Sequence, residues 1–152
     1  VVQTQDISIR YIKEEDYSDI LRLSKICISK VLPDEVFEEE KIEGLFNLAL
    51  LNEDFTGIVL VISGKVRGYI LGYIASHYFH SKQMAYCMSI YVEEEYRKYG
   101  LEMIKSFEAW GKYRGAKTLS ISTFTNLSPR GLGLIYKKLG YTEKEVIHWK
   151  EV

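Results

Sequence analysis

Apolar and polar residues alternate through Ile7, Ile9 and Tyr11, which predicts a first strand over Asp6–Ile12. The period then lengthens. Tyr17, Ile20, Leu21, Leu23 and Ile26 recur at helical spacing behind the acidic pair Glu14-Glu15, and Pro33 breaks that helix near Val31. A second helix is expected to start just beyond Asp34, with Phe37, Leu45, Leu48 and Ala49 as its apolar positions. From there the pattern is that of strands. Gly57–Ser63 is a buried apolar run, Ser63-Gly64-Lys65 a tight turn, and Val66–Tyr78 a long partner strand. Gln83–Val92 is a third strand, with Tyr86, Met88, Ile90 and Val92 on one face and Cys87, Ser89 and Tyr91 on the other. Leu101–Arg114 reads as a helix stopped by Gly115, Thr118–Phe124 as a β-branched strand, and Leu132–Leu139 as a helix ended by Gly140. Tyr141–Glu143 and Val146–Val152 are expected to form two last short strands. The resulting order, β-α-α-β-β-β-α-β-α-β-β, mixes hairpins with crossovers. It implies an α/β (α+β) single domain over residues 1–152, built on a mixed, mostly antiparallel sheet with helices on its faces.

Composition narrows the class without choosing a function. With 47% hydrophobic and 27% charged residues, the 152-residue chain has the balance of one globular domain. Its apolar runs fall far short of the ~20 residues of a membrane helix. The first residues, Val-Val-Gln-Thr-Gln, lack the basic and apolar blocks of a signal peptide, and Cys27 and Cys87 lie 60 residues apart. A reducing, cytoplasmic setting is therefore expected. Two cysteines and three histidines without paired ligand spacing argue against a structural metal. A net charge of −1 gives no general attraction to nucleic acid or an anionic membrane. The halves differ, however: residues 1–60 hold 13 acids and 6 bases, whereas residues 61–152 hold 8 acids and 14 bases. One half is suited to cations and the other to anions.

The stretch Ser89–Gly115 concentrates the chemistry: a strand, the loop Glu93–Tyr99, and a helix from about Gly100. Such a junction aims backbone N–H groups and a positive helix end at whatever lies above it, which makes an anion site. Arg97 and Lys98 add formal charge, and Gly100 allows a ligand to approach the backbone. The loop lacks the Gly-Lys-Ser/Thr ending of a Walker P-loop, and no G-x-G-x-x-G follows a strand.

Two blocks in this chain resemble the GNAT superfamily of acyl-CoA N-acyltransferases. The first is Tyr91-Val92 followed by Tyr96-Arg97-Lys98-Tyr99-Gly100-Leu101-Glu102-Met103, and the second is Leu134-Ile135-Tyr136-Lys137-Lys138-Leu139-Gly140-Tyr141. The resemblance implies that acetyl-CoA, a cosubstrate used without a metal, lies between the Gln83–Val92 and Thr118–Phe124 strands. Its pantetheine would pair with Ile90, Tyr91 and Val92, and its pyrophosphate with the N–H groups of Arg97, Lys98, Tyr99, Gly100, Leu101, Glu102 and Met103. The thioester carbonyl would be polarised by an N–H near Val92. Tyr136 would protonate the leaving thiolate. The reaction implied is acetyl transfer to a primary amine, on a small molecule or a peptide, by direct attack in a ternary complex. A non-catalytic acyl-CoA-binding or regulatory module is the alternative.

The chain departs from the family pattern at several positions. Glu102 replaces a small residue of the phosphate-gripping signature, so either it points away from the pyrophosphate or cofactor affinity is reduced. Many relatives carry a Glu general base where spacing from Val92 places Tyr86. An Asn expected seven residues before Tyr136 is replaced by Pro129, with Asn126 three residues earlier.

Other motifs allow two readings each. Tyr136 is a core aromatic or a proton donor, and His77 and His80 are turn residues or proton relays. Cys87 is a packing residue or a nucleophile without a nearby base in sequence. Glu93-Glu94-Glu95 reads as a solvated turn, and Glu38-Glu39-Glu40 as a solvated helix face that also suits the edge of an acceptor cleft. Gly131-Leu132-Gly133 reads as a flexible helix entry. Tyr69, Tyr73, Tyr78 and Tyr86 belong to sheet packing or to an acceptor pocket. The charge asymmetry makes a cationic amine the expected acceptor. Its identity, the acyl length and the oligomeric state, a homodimer included, stay open.

Overall fold

Five strands in sequential order form one sheet: β1 (Ile7–Tyr11), β2 (Phe55–Ile62), β3 (Lys65–Ser76), β4 (Gln83–Val92) and β5 (Thr118–Ile121). The first three junctions are antiparallel, and β5 joins β4 in parallel. The structure is a computed structural model that describes residues 5–125 and 129–152. Two compact units divide the chain, Val1–Ser122 and Thr123–Val152.

In the first unit the sheet separates two helical layers. α1 (Tyr17–Val31) and α2 (Glu39–Leu51) cover one face, and α3 (Gly100–Tyr113) covers the other. α1 buries Ile20, Leu23, Ser24, Cys27 and Val31, a stripe at the period that keeps one side of a helix on the sheet. Asp16, just before it, ties the preceding turn to β1: its carboxylate accepts from Lys13 N–H at 2.8 Å and from both Arg10 Nη atoms at 2.8 and 3.0 Å. On the far side, Met103, Ile104, Phe107 and Trp110 of α3 pack against Ile58, Leu60, Ile62, Ile70, Ala85, Cys87 and Val92. At the β2–β3 turn Ser63 and Gly64 take φ values of 50° and 79°, the paired left-handed conformation of the tightest hairpins.

In this unit α2 and β4 depart from expectation. α2 starts at Glu39, not just beyond Asp34, and it buries Ile42 and Phe46 in place of Phe37 and Leu48. Its N-cap, Glu38, is extended (φ −110°, ψ 105°), so the segment behind Pro33 serves as a loop. The faces of β4 also differ from simple alternation. Leu71 pairs with Ser89 but Gly72 pairs with Cys87, leaving Met88 as a bulge. One extra residue inverts the alternation. Cys87 therefore shares the α3 face with Ile90 and Val92, while Tyr86 stacks on Tyr73 and Ser89 bonds Tyr69 on the other face.

In the second unit, α4 (Pro129–Lys138) begins three residues earlier than expected and ends before Gly140, whose φ is +88°. The two terminal strands do not form. Residues 141–152 are irregular, and Val146, Ile147 and Trp149 are all exposed, so their alternation builds no buried face.

Candidate active site

The bulge at Met88 divides β4 into two functional halves. Below it, Met84–Cys87 pair with Thr118–Ile121 of β5; above it, no described strand runs beside β4 on that edge. The direction of the open backbone groups follows from the ladder. In an antiparallel pair, residues that exchange hydrogen bonds alternate with residues whose N–H and C=O point away. Glu93 N–H donates to Arg67 C=O at 2.9 Å, which fixes that pair as a bonded one. Counting back along the register, Val92 and Ile90 turn their N–H and C=O groups away from β3, toward the edge that β5 has left. Tyr91 faces the other way in its backbone, and its buried side chain receives Lys30 Nζ at 3.4 Å on its hydroxyl.

β4 runs directly into a 3-10 helix, Glu94–Tyr99, which continues into α3. Arg97 and Lys98 are exposed on it, and Lys98 lies over the Tyr99 ring. Tyr96 N–H donates to Glu93 C=O and Gly100 N–H to Arg97 C=O. A Cβ built on Gly100 meets nothing within 4 Å, so the backbone there is open to a ligand. Glu102 is exposed and turns to Lys105, 3.3 Å away. Met103, expected among the phosphate-binding residues, is fully buried with its backbone and belongs to the core under the sheet.

The remaining candidates sit elsewhere. Tyr86 lies below the bulge, stacked on Tyr73 at 5.0 Å, with its hydroxyl donating to Met84 Sδ at 3.3 Å. His80 belongs to the turn beyond β3, where its N–H donates to His77 C=O. At 3.3 Å per residue that turn is on the order of 30 Å along β4 from Val92. His77 Nδ1 is occupied by the N–H of Phe79 at 3.1 Å. Cys87 is buried, and its thiol is pushed up to about 12 by that burial, so at neutral pH it packs and does not attack. Tyr136 stands on α4, its ring 5.9 Å from that of Tyr141. Asn126 lies outside the described residues, and Pro129 opens α4.

A profile of the acetyltransferase (GNAT) family matches residues 16–141. The chain belongs to that family. Its fold is that of aminoglycoside N-acetyltransferase AAC(6')-Iy, solved in complex with CoA: TM-score 0.78 and 16% identity, over 99% of this chain and 98% of that one. Glucosamine-6-phosphate N-acetyltransferase from Arabidopsis thaliana superposes at a TM-score of 0.73 with 16% identity, covering 96% and 98% of the two chains. An acetyltransferase from Trypanosoma brucei gives 0.71 and 16%, covering 97% and 100%. No curated protein sequence matches the chain. Among the described residues no helix is long and apolar enough to cross a membrane.

Sequence reasoning missed the partners of Glu93. Expected as part of a solvated turn, it is bound by Arg22 and Arg67. Those contacts span 71 and 26 residues, so no local pattern announces them.

Proposed function

We propose that this GNAT protein is an acetyl-CoA-dependent N-acetyltransferase acting as one domain over residues 1–152 on a primary amine that is cationic at neutral pH. The observation that carries the reading is the edge of β4 above the bulge, where Ile90 and Val92 turn backbone groups that no described strand shares outward beside a basic helix entry. An extended amide-bearing chain is recognised by such an edge as a further strand would be. Ile90 and Val92 hold the pantetheine, with Val92 N–H polarising the thioester carbonyl, while the backbone of Tyr91 between them serves β3. Arg97 and Lys98, with the backbone from Tyr99 through Glu102, take the pyrophosphate.

The amine, held beside the thioester, attacks the carbonyl carbon once its ammonium proton has left to water. The C–N bond forms, the C–S bond breaks, and the thiolate receives a proton from Tyr136; the nitrogen gives up its second proton to water as the amide forms, and water reprotonates the Tyr136 phenolate. Proximity carries much of the acceleration, and no covalent enzyme intermediate is required. Charge supports the choice of acceptor, since acids exceed bases by 7 in residues 1–60 while bases exceed acids by 6 in the remainder.

One observation favours a second reading, a non-catalytic acyl-CoA-binding module. β4 carries no carboxylate, and Tyr86 occupies the position of the general base. Thiol release from acetyl-CoA with a panel of amines separates the two. Polyamines and aminoglycosides are expected to react, and glucosamine 6-phosphate to react poorly. Tight acetyl-CoA binding without thiol release from any amine would favour the module, and a preference for neutral or acidic amines would overturn the cationic acceptor.

A further inference from the structure

Three consecutive carboxylates, Glu93-Glu94-Glu95, stand at the root of the segment assigned to the cofactor's phosphates, where negative charge is unfavourable. The first is treated differently from the other two. Glu94 and Glu95 are exposed in the first turn of the 3-10 helix. The Glu93 side chain is only 19% exposed and is gripped from two elements: Arg22 Nη1 of α1 donates to Oε1 at 2.7 Å, and Arg67 Nη1 of β3 to Oε2 at 3.2 Å. Each arginine is also held independently. Arg22 Nη2 donates to Val66 C=O at 3.0 Å and lies 3.3 Å from Asp19, while the Arg67 guanidinium rests 5.1 Å from the centroid of the Tyr96 ring. Asp19, Arg22, Arg67 and Glu93 together carry no net charge.

The loop does not depend on the carboxylate for its shape. Glu93 N–H is bonded to Arg67 C=O, Glu93 C=O receives Tyr96 N–H, and Tyr96 and Tyr99 pack on the α3-side core. What the two guanidiniums supply beside Glu93 is compensating positive charge.

We propose that Arg22 is a positioning residue of the anion site, acting through Glu93. With Arg67 it neutralises the carboxylate that ties α1 to the loop, so that the root of the loop does not repel a polyphosphate. The proposal rests on the coenzyme A reading above. It makes affinity follow the net charge of the four-residue cluster.

The test is calorimetric titration of coenzyme A at low ionic strength into the wild type, Arg22→Gln, Glu93→Gln and the double variant, with melting curves alongside. Arg22→Gln leaves the cluster at −1 and is expected to weaken binding by about three- to tenfold. Glu93→Gln is expected to tighten it by about two- to fivefold, and the double variant to return to within about twofold of the wild type. These differences shrink at high salt. Arg22→Lys keeps the charge and is expected to stay near wild-type affinity even where melting drops.

A purely geometric clamp predicts the opposite pattern, with both single variants weaker and no recovery in the double. That pattern, an unchanged affinity in Arg22→Gln, or a loss in Arg22→Lys equal to that in Arg22→Gln, would overturn the proposal. A wild type that does not bind coenzyme A would overturn the functional reading itself, and the proposal with it.

Discussion

Two side chains carry the sharpest consequences of the proposed chemistry. Arg97 is exposed on the 3-10 helix, where its guanidinium suits a pyrophosphate. Arg97→Glu is expected to weaken coenzyme A binding several-fold without abolishing it, because backbone groups supply part of the grip. Lys117→Glu, at the start of β5, is expected to leave binding unchanged; calorimetry on folded variants checks both. Tyr136 is assigned the proton that the departing thiolate needs. Tyr136→Phe keeps the ring and removes only the donor, so folding and coenzyme A affinity should hold while turnover falls about ten- to a thousandfold, the scale of losing one general acid. Unchanged turnover would make Tyr136 a packing residue. Glu102 shows how far a residue's role can be read in advance. Charge alone says that it is unfavourable beside a pyrophosphate, but its partner Lys105 requires the helix.

At the scale of elements, strands and helices with a clean period were legible, and departures from the period were not. β4 has the bounds its sequence suggests, yet the bulge at Met88 exchanges its faces above Cys87, because no residue type announces an extra position in a ladder. Opposite the bulge stands Gly72, where a Cβ would meet Phe107 Cε2 at 2.6 Å and the backbone oxygen of Tyr86 at 2.8 Å. The carbonyl cannot move without opening the bulge, so Gly72→Ala should cost about 1–3 kcal/mol in urea unfolding. The start of α1 answers to acid. Burial pushes the Asp16 carboxyl up, but the Arg10 hydrogen bonds, the Lys13 N–H and the charges of both hold it below its ordinary value. A depressed carboxylate stabilises the fold at neutral pH, and that contribution is lost as pH falls below about 4. Asp16→Asn is expected to cost about 2 kcal/mol at pH 7. It should also show a shallower loss of stability than the wild type through the acid range, and parallel acid curves would remove Asp16 from the account.

For the molecule as a whole, family and fold were legible because two blocks follow one another in the right order along a clean succession of strands and helices, and the profile match over residues 16–141 agrees. The tie among Arg22, Arg67 and Glu93 was not, since it joins α1, β3 and the exit of β4 across the sequence. The two C-terminal strands were over-read: alternation in Val146–Val152 marks a strand only where another strand accepts it. The central claim is that an acyl cofactor pairs with the edge of β4 that β5 leaves open. Amide hydrogen exchange read residue by residue, with and without coenzyme A, tests it most directly. The account predicts strong new protection at Ile90 and Val92, and little change at Tyr91 and Glu93, whose N–H groups already serve β3. Equal protection along all four amides, or none at Ile90 and Val92 under saturating coenzyme A, would contradict it.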